Sequence, residues 1–184
     1  MSSEGAILVI PDTPSGLEFG IDTMAYTTGE LFKGVSIIPD GLHFCYYSTG
    51  LGGRQGFFFW ARNYDILVRS YESSTEEILP YSTLNEEQIL NLQQSIQRGE
   101  LNKQLGPYPY QNNQHSHWIN LSNFINKNVL FNCKCDDTIL LQPGDASDVD
   151  DILSNEAIQS LQDKINNNKK QLSEDVMEME KEGH

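Results

Sequence analysis

The chain has 184 residues, 26 Asp plus Glu against 12 Lys plus Arg, and a formal net charge of −14. Its length suits one domain with an appendage or two small domains, and its 38% hydrophobic, 10% aromatic content can bury a core. So acidic a chain repels phosphate backbones, which argues against direct nucleic-acid binding. No apolar run approaches the roughly 20 residues that cross a bilayer, so no membrane span is expected.

Short β-type runs fill the first part. Ala6-Ile-Leu-Val-Ile10 ends at Pro11 and reads as a strand, and Leu17 to Tyr26 is mixed. Val35-Ser-Ile-Ile38 stops at a Pro39-Asp40-Gly41 turn, after which Leu42 to Ser48 resumes as an aromatic strand. Gly50 to Gly53 should be a flexible hairpin tip; it lacks the Lys-Ser/Thr ending of a phosphate loop. Gly56-Phe-Phe-Phe-Trp60 alternates poorly and is expected to be buried on both faces. Arg62-Asn-Tyr-Asp65 then turns the chain into Ile66 to Tyr71, a predicted hairpin. Five or six such strands argue for a sandwich or a rolled sheet.

Thr83 with Glu86 reads as a capping box, and Ile89, Leu92 and Ile96 continue at helical spacing to a stop at Gly99 or at Leu105-Gly106-Pro107. Leu105-Gly-Pro-Tyr-Pro-Tyr110 must be extended, because its prolines fix φ and remove donors. Gln111 to His115 is a polar loop, and a second short helix is predicted from Ser122 with Phe124, Ile125 and Val129 on its inner face.

The charge divides the chain. Residues 1–143 carry 15 acids and 8 bases; residues 144–184 carry 11 acids and 4 bases and no Trp, Tyr or Phe. A boundary near Pro143-Gly144 follows. The predicted fold is mainly β (α+β). A β-sandwich-like N-terminal domain with two short helices spans 1–143, and an acidic helical or disordered appendage spans 144–184. Within the appendage Ile158, Leu161, Ile165, Leu172, Val176 and Met179 follow an amphipathic pattern broken by Asn166 to Asn168.

Three cysteines, Cys45, Cys133 and Cys135, are too few for a disulfide framework. Met1-Ser-Ser-Glu-Gly5 has neither the basic nor the apolar region of a signal peptide, so cytoplasm and nucleus are expected. His115-Ser-His117 and Cys133-Lys-Cys135 could offer four zinc ligands, but pairs separated by one residue miss the usual spacing. His43 and Cys45 share one face of a strand with no third partner in view, and no Gly-x-Ser-x-Gly elbow occurs. No catalytic residue, metal or cofactor is therefore assigned. The alternative left open is a small β-rich hydrolase or zinc-binding protein using His43, Cys45, His115 and His117. Tyr108 and Tyr110 are the candidate partner-binding residues, since tyrosine joins a large apolar body to a hydroxyl; the competing reading has them brace their own domain.

Phe19-Gly20-Ile21-Asp22, Phe32-x-Gly34-Val35 and Ile38-Pro39-x-Gly41-x-His43-Phe44-x-x-Tyr47-Ser48 occur in order. They are followed by Gly56-Phe57-Phe58, Leu105 to Tyr110, and Trp118-Ile119-x-Leu121-Ser122-x-Phe124-Ile125. This ordered set, from about Gly5 to about Ile125, resembles the N-terminal domain of the Aar-two splicing-factor family, assembly factors of the U5 small nuclear ribonucleoprotein (snRNP) and so of the tri-snRNP. The resemblance implies a β-sandwich-like domain without catalysis. It also implies a partner: the large U5 scaffold protein, engaged at its RNase H-like and Jab/MPN-like domains, with binding of the unwinding helicase delayed. Family members usually add an all-helical domain after the linker; this chain stops there, so a fragment or a short divergent member is expected.

Overall fold

A computed structural model of the protein describes residues 4–48 and 53–135. The expected Gly50–Gly53 loop falls largely, and the Pro143-Gly144 boundary and the acidic appendage wholly, outside the described residues.

Ten strands and three α-helices follow one another along the described chain. Strands β2 (Glu18–Ile21), β3 (Met24–Thr27), β5 (Gly41–Ser48) and β6 (Arg54–Ala61) form an antiparallel sheet in the order β3-β2-β5-β6. A second sheet has the order β10-β4-β1-β7, from β1 (Ala6–Val9), β4 (Gly34–Ile38), β7 (Ile66–Val68) and β10 (Leu105–Pro107). Its centre, β1 with β4, is antiparallel, whereas β7 and β10 join parallel to their neighbours. A short hairpin, β8 (Tyr71–Glu72) with β9 (Glu77–Ile78), stands apart.

Both four-stranded sheets send side chains into one core. Ala6, Leu8, Val35 and Ile38 come from one, and Phe19, Ile21, Cys45, Tyr47, Phe57 and Phe59 from the other. This is the expected mainly β, sandwich-like architecture. The period of two along β5 puts His43, Cys45 and Tyr47 inward and leaves Phe44 and Tyr46 half-buried on the outer face. The inward Tyr47 hydroxyl accepts the Ile78 N–H at 2.8 Å and donates to Gln55 Oε1 at 2.8 Å, tying the small hairpin to the core.

Several local expectations are corrected. Strand β6 is not buried on both faces: Phe57, Phe59 and Ala61 point inward while Phe58 and Trp60 stay half-exposed. Arg62 to Asp65 does not close a hairpin. It carries the chain to the other sheet, where β7 pairs in parallel with β1. Helix α1 (Glu86–Gln97) is capped by Asn85 and Gln88 rather than Thr83 and Glu86, with reciprocal bonds of 2.9 Å between side chain and backbone. The Thr83 N–H and hydroxyl instead meet Ser70 Oγ, at 2.8 and 2.9 Å. The predicted stop holds, with Gly99 at φ +75° just past the C-cap Arg98.

Past β10 the chain is more helical than expected. The polar stretch from Gln111 is a single 3₁₀ turn leading into α2 (Gln114–Ser122), and α3 (Lys127–Asn132) follows. Ser122 thus ends a helix rather than starting one. Phe124 is 83% exposed and Val129 39%, while Leu130 supplies the buried contact. Asn126 caps α3 by accepting the Val129 N–H at 3.0 Å. Among the described residues no helix is long and apolar enough to cross a membrane.

Candidate functional site

The strongest concentration of buried polar chemistry lies where three distant segments meet. Asp22 occupies the tight turn between β2 and β3 at φ +54°, a left-handed conformation that Asp tolerates better than most residues. Its backbone N–H donates to the Phe44 carbonyl at 2.7 Å, and its Oδ1 accepts the Phe44 N–H at 2.9 Å. Oδ2 lies 2.7 Å from His43 Nδ1 and also accepts the Tyr108 hydroxyl. The carboxylate, 8% exposed as a residue, is thereby surrounded by donors, as a buried charge must be.

His43 completes the pattern. Its Nε2 stands 2.7 Å from the Pro39 carbonyl, so both ring nitrogens face acceptors. The ring also packs against Phe59 and edge-on to Tyr108, with centroids 5.5 Å away in each case.

Tyr108 reaches this pair from the Pro-flanked segment. Leu105 to Pro107 is extended as β10 on a sheet edge, where a missing N–H does least damage. The extended course expected as far as Tyr110 ends there: the Tyr110 N–H donates to the Tyr108 carbonyl at 3.0 Å across Pro109, and Tyr110 has helical angles of φ −76° and ψ −8°. The Lys33 N–H donates to Gln104 and the Tyr108 N–H to Ser36, both at 2.8 Å, fixing the register beside β4. Burial, and then the hydrogen bond to Asp22, push the Tyr108 hydroxyl far above the ordinary tyrosine range. It is a permanent donor.

The expectation of two exposed tyrosines is therefore half corrected. Tyr108 is 3% exposed and belongs to the core, while Tyr110 is 49% exposed. Tyr110 is nonetheless held in place: its hydroxyl donates to the Ile37 carbonyl at 3.1 Å and its ring meets Tyr108 edge-on at 5.1 Å. His115, the second residue of α2, packs edge-on to both tyrosines. Partial burial and then the nearby His43 lower its pKa. Trp118, one turn on, donates its Nε1–H to the Leu42 carbonyl at 2.6 Å and seats α2 on the sheet.

The other predicted residues are dispersed. His43 and Cys45 do share the inward face of β5, but both are sealed in the core, and burial raises the Cys45 thiol well above its ordinary value. A buried, protonated thiol is a poor nucleophile. His117 faces outward with Asn112, Asn113 and Asn120. Cys133 is exposed, and Cys135 turns its thiol back to the Cys133 carbonyl at 3.1 Å. Among the described residues no three His, Cys, Asp or Glu side chains come close enough to hold a metal ion. Sequence reasoning missed Asp22 and Arg69. The guanidinium of Arg69 lies 3.9 Å above the Phe57 ring. Only the polar Asp22-Thr23 step between two apolar runs hinted at the turn, and nothing local marked Arg69 as buried.

This arrangement locks three parts of the domain together. Asp22, His43 and Tyr108 saturate one another away from solvent, and what they hold in place is an exposed tyrosine beside two short helices.

Residues 4–135 match the family model for the AAR2 N-terminal domain. The chain is similar to Protein AAR2 homolog of Homo sapiens and of Macaca fascicularis, each 37% identical over 131 residues, covering 67% of this chain and 33% of the relative. The Caenorhabditis elegans homolog is 35% identical over 128 residues, 68% of this chain and 34% of that protein. The chain thus spans about a third of the length of these curated relatives.

Proposed function

The chain belongs to the AAR2 family through its N-terminal domain, and from that premise we propose that it acts as a non-enzymatic protein-binding module of a U5 snRNP assembly factor in pre-mRNA splicing. Its partner is the large U5 scaffold protein, bound at the RNase H-like and Jab/MPN-like domains so that helicase binding is delayed. It binds no nucleic acid directly, uses no cofactor, and works in cytoplasm and nucleus. The observation that carries this reading is the match across residues 4–135, which includes every described element of the fold. Two features support it. A net charge of −14 suits a protein partner better than RNA. Tyr110, exposed yet fixed by Tyr108, His115 and Ile37, is a preorganised aromatic anchor that loses little entropy on binding.

The test is a pull-down of the recombinant RNase H-like domain of the U5 scaffold protein by the full 184-residue chain and by its Tyr110→Ala variant. Binding by the parent, weakened about tenfold or more in the variant, is expected. No capture by a folded parent chain would overturn the assignment of that domain as partner. Equal capture by both would remove Tyr110 from the contact.

A further inference from the structure

Two of the three cysteines stand near the surface with one residue between them. Cys45 is sealed in the core, whereas Cys133 is exposed and Cys135 half-buried at the end of α3. The network around Asp22 uses neither, and among the described residues no third ligand joins them to hold a metal ion. What they offer is the chemistry of a thiol pair.

The backbone brings that pair together. Helix α3 ends in a Schellman motif: the Lys134 N–H donates to the Phe131 carbonyl at 3.1 Å, and the Cys135 N–H to the Leu130 carbonyl at 2.8 Å. Such a motif needs one left-handed residue just past the C-cap, and glycine usually supplies it. Here it is Lys134, at φ +53°, between the C-cap Cys133 and Cys135. The chain doubles back at this point, and the Cys135 thiol lies 3.1 Å from the Cys133 carbonyl oxygen. Extended residues two apart are separated by about 7 Å. The turn draws these two closer, into the roughly 4.4–6.8 Å between Cα atoms that a disulfide spans.

A bridge across so short a loop departs from relaxed disulfide geometry, which leaves it easily reduced. Such a bond suits a transient, redox-responsive role, the one that disulfides take in a reducing compartment. Exposure makes Cys133 the attacking group, since thiol exchange requires access to the incoming disulfide.

We propose that Cys133 and Cys135 are a thiol-oxidation site, converted to an internal disulfide by a small disulfide of the glutathione type. The Cys133 thiolate attacks one sulfur of the small disulfide, forming a mixed disulfide and expelling one small thiolate. The Cys135 thiolate then attacks the Cys133 sulfur, closing the internal bond and expelling the second. Two protein thiols are oxidised, and one small disulfide is reduced to two thiols, which take up the two protons. The bond ties the last turn of α3 to the residue that follows its cap, beside the buried Leu130.

The test treats the full 184-residue chain with oxidised glutathione and follows intact mass and native thiol labelling. The expected product is a monomer lighter by about 2 Da, for two hydrogen atoms lost, in which neither Cys133 nor Cys135 is labelled. Reduced glutathione in about hundredfold excess should restore both thiols. Cys133→Ser and Cys135→Ser, each outside the core, should fold as the parent does. Each should stop at a glutathione adduct on the remaining thiol, without the loss of mass. A parent that stays unreacted, or that also stops at the adduct, would overturn the proposal, because the two sulfurs then do not meet. So would a disulfide-linked dimer, an internal bond that persists in either serine variant, or one that the excess of reduced glutathione fails to break.

Discussion

Asp22 and Tyr108, 86 residues apart in sequence, are joined by a buried hydrogen bond from the phenol to the carboxylate. It links the turn of one sheet to the edge strand of the other, so the Pro-flanked segment closes the sandwich rather than lying on its surface.

Removing that donor should cost stability, and removing its neighbour's ring should not. Tyr108→Phe leaves the ring in place but takes one donor from a buried carboxylate, an expected loss of about 1–3 kcal/mol. Tyr108→Ala also empties core volume and should cost about 3–5 kcal/mol. Tyr110→Ala, at a half-exposed position, should stay within about 1 kcal/mol of the parent. Urea denaturation midpoints separate the three. A double variant at both positions would report unfolding rather than loss of an interface.

Alkaline pH should unfold the domain through its tyrosines. Burial is the first cause that raises Tyr26, Tyr47 and Tyr108 above the ordinary value of 10.0. A pKa raised in the folded state means that the native protein holds protons which the unfolded chain releases. The stabilisation is complete below about pH 10 and is lost as pH rises beyond it. Urea midpoints measured from pH 8 to 11.5 should be flat with respect to these groups at first and then fall. Tyr108→Phe should make the fall shallower, and an unchanged slope would show that this phenol ionises as readily folded as unfolded.

Two glycines should respond differently to a methyl group. At Gly34, φ +148°, an added Cβ would lie 2.0 Å from the Leu8 carbonyl oxygen, a backbone atom of the paired strand. Gly34→Ala should therefore cost more than about 3 kcal/mol or prevent folding. At Gly20 the obstacle is the Tyr46 ring, also 2.0 Å away but half-exposed and able to swing outward. Gly20→Ala should cost less, with a change in tyrosine fluorescence as the ring moves. Thermal melts of both variants check the order.

Ile37 has φ +57° inside a bulge, where two residues of β4 oppose one of β1. A β-branched residue is strained there by about 1–2 kcal/mol. Ile37→Gly relieves the strain while losing a half-buried side chain, so it should leave stability within about 1 kcal/mol of the parent. The same change at the adjacent, fully buried Ile38 should cost at least about 3 kcal/mol. Chemical denaturation of the pair makes the comparison.

How far the fold could be read in advance depended on how local its causes are. Strand runs were legible from alternation and turn residues: Ala6 to Val9, the Pro39-Asp40-Gly41 break and the aromatic β5 lie where expected. Helix α1 was legible too, although its cap sat two residues later, because Ser70 drew Thr83 away by hydrogen bonding. Helix α2 was hidden by its composition. Asn, Gln and His read as a loop until Trp118 and His115 find partners on the sheet and supply the packing that propensity does not.

The sequence by itself determined a mainly β domain, the extended course of Leu105 to Pro107, the inward pairing of His43 with Cys45, and a family. Each follows from period, φ restriction or an ordered set of motifs carried within a few neighbouring residues. Only the tertiary structure decided that β7 joins β1 in parallel, that Tyr108 is core and Tyr110 surface, and that Asp22 receives both His43 and Tyr108. The physical reason is that a tyrosine or an aspartate is equally at home in water or in a saturated buried network. Which it enters depends on whether a partner, here 86 residues away, arrives to satisfy it.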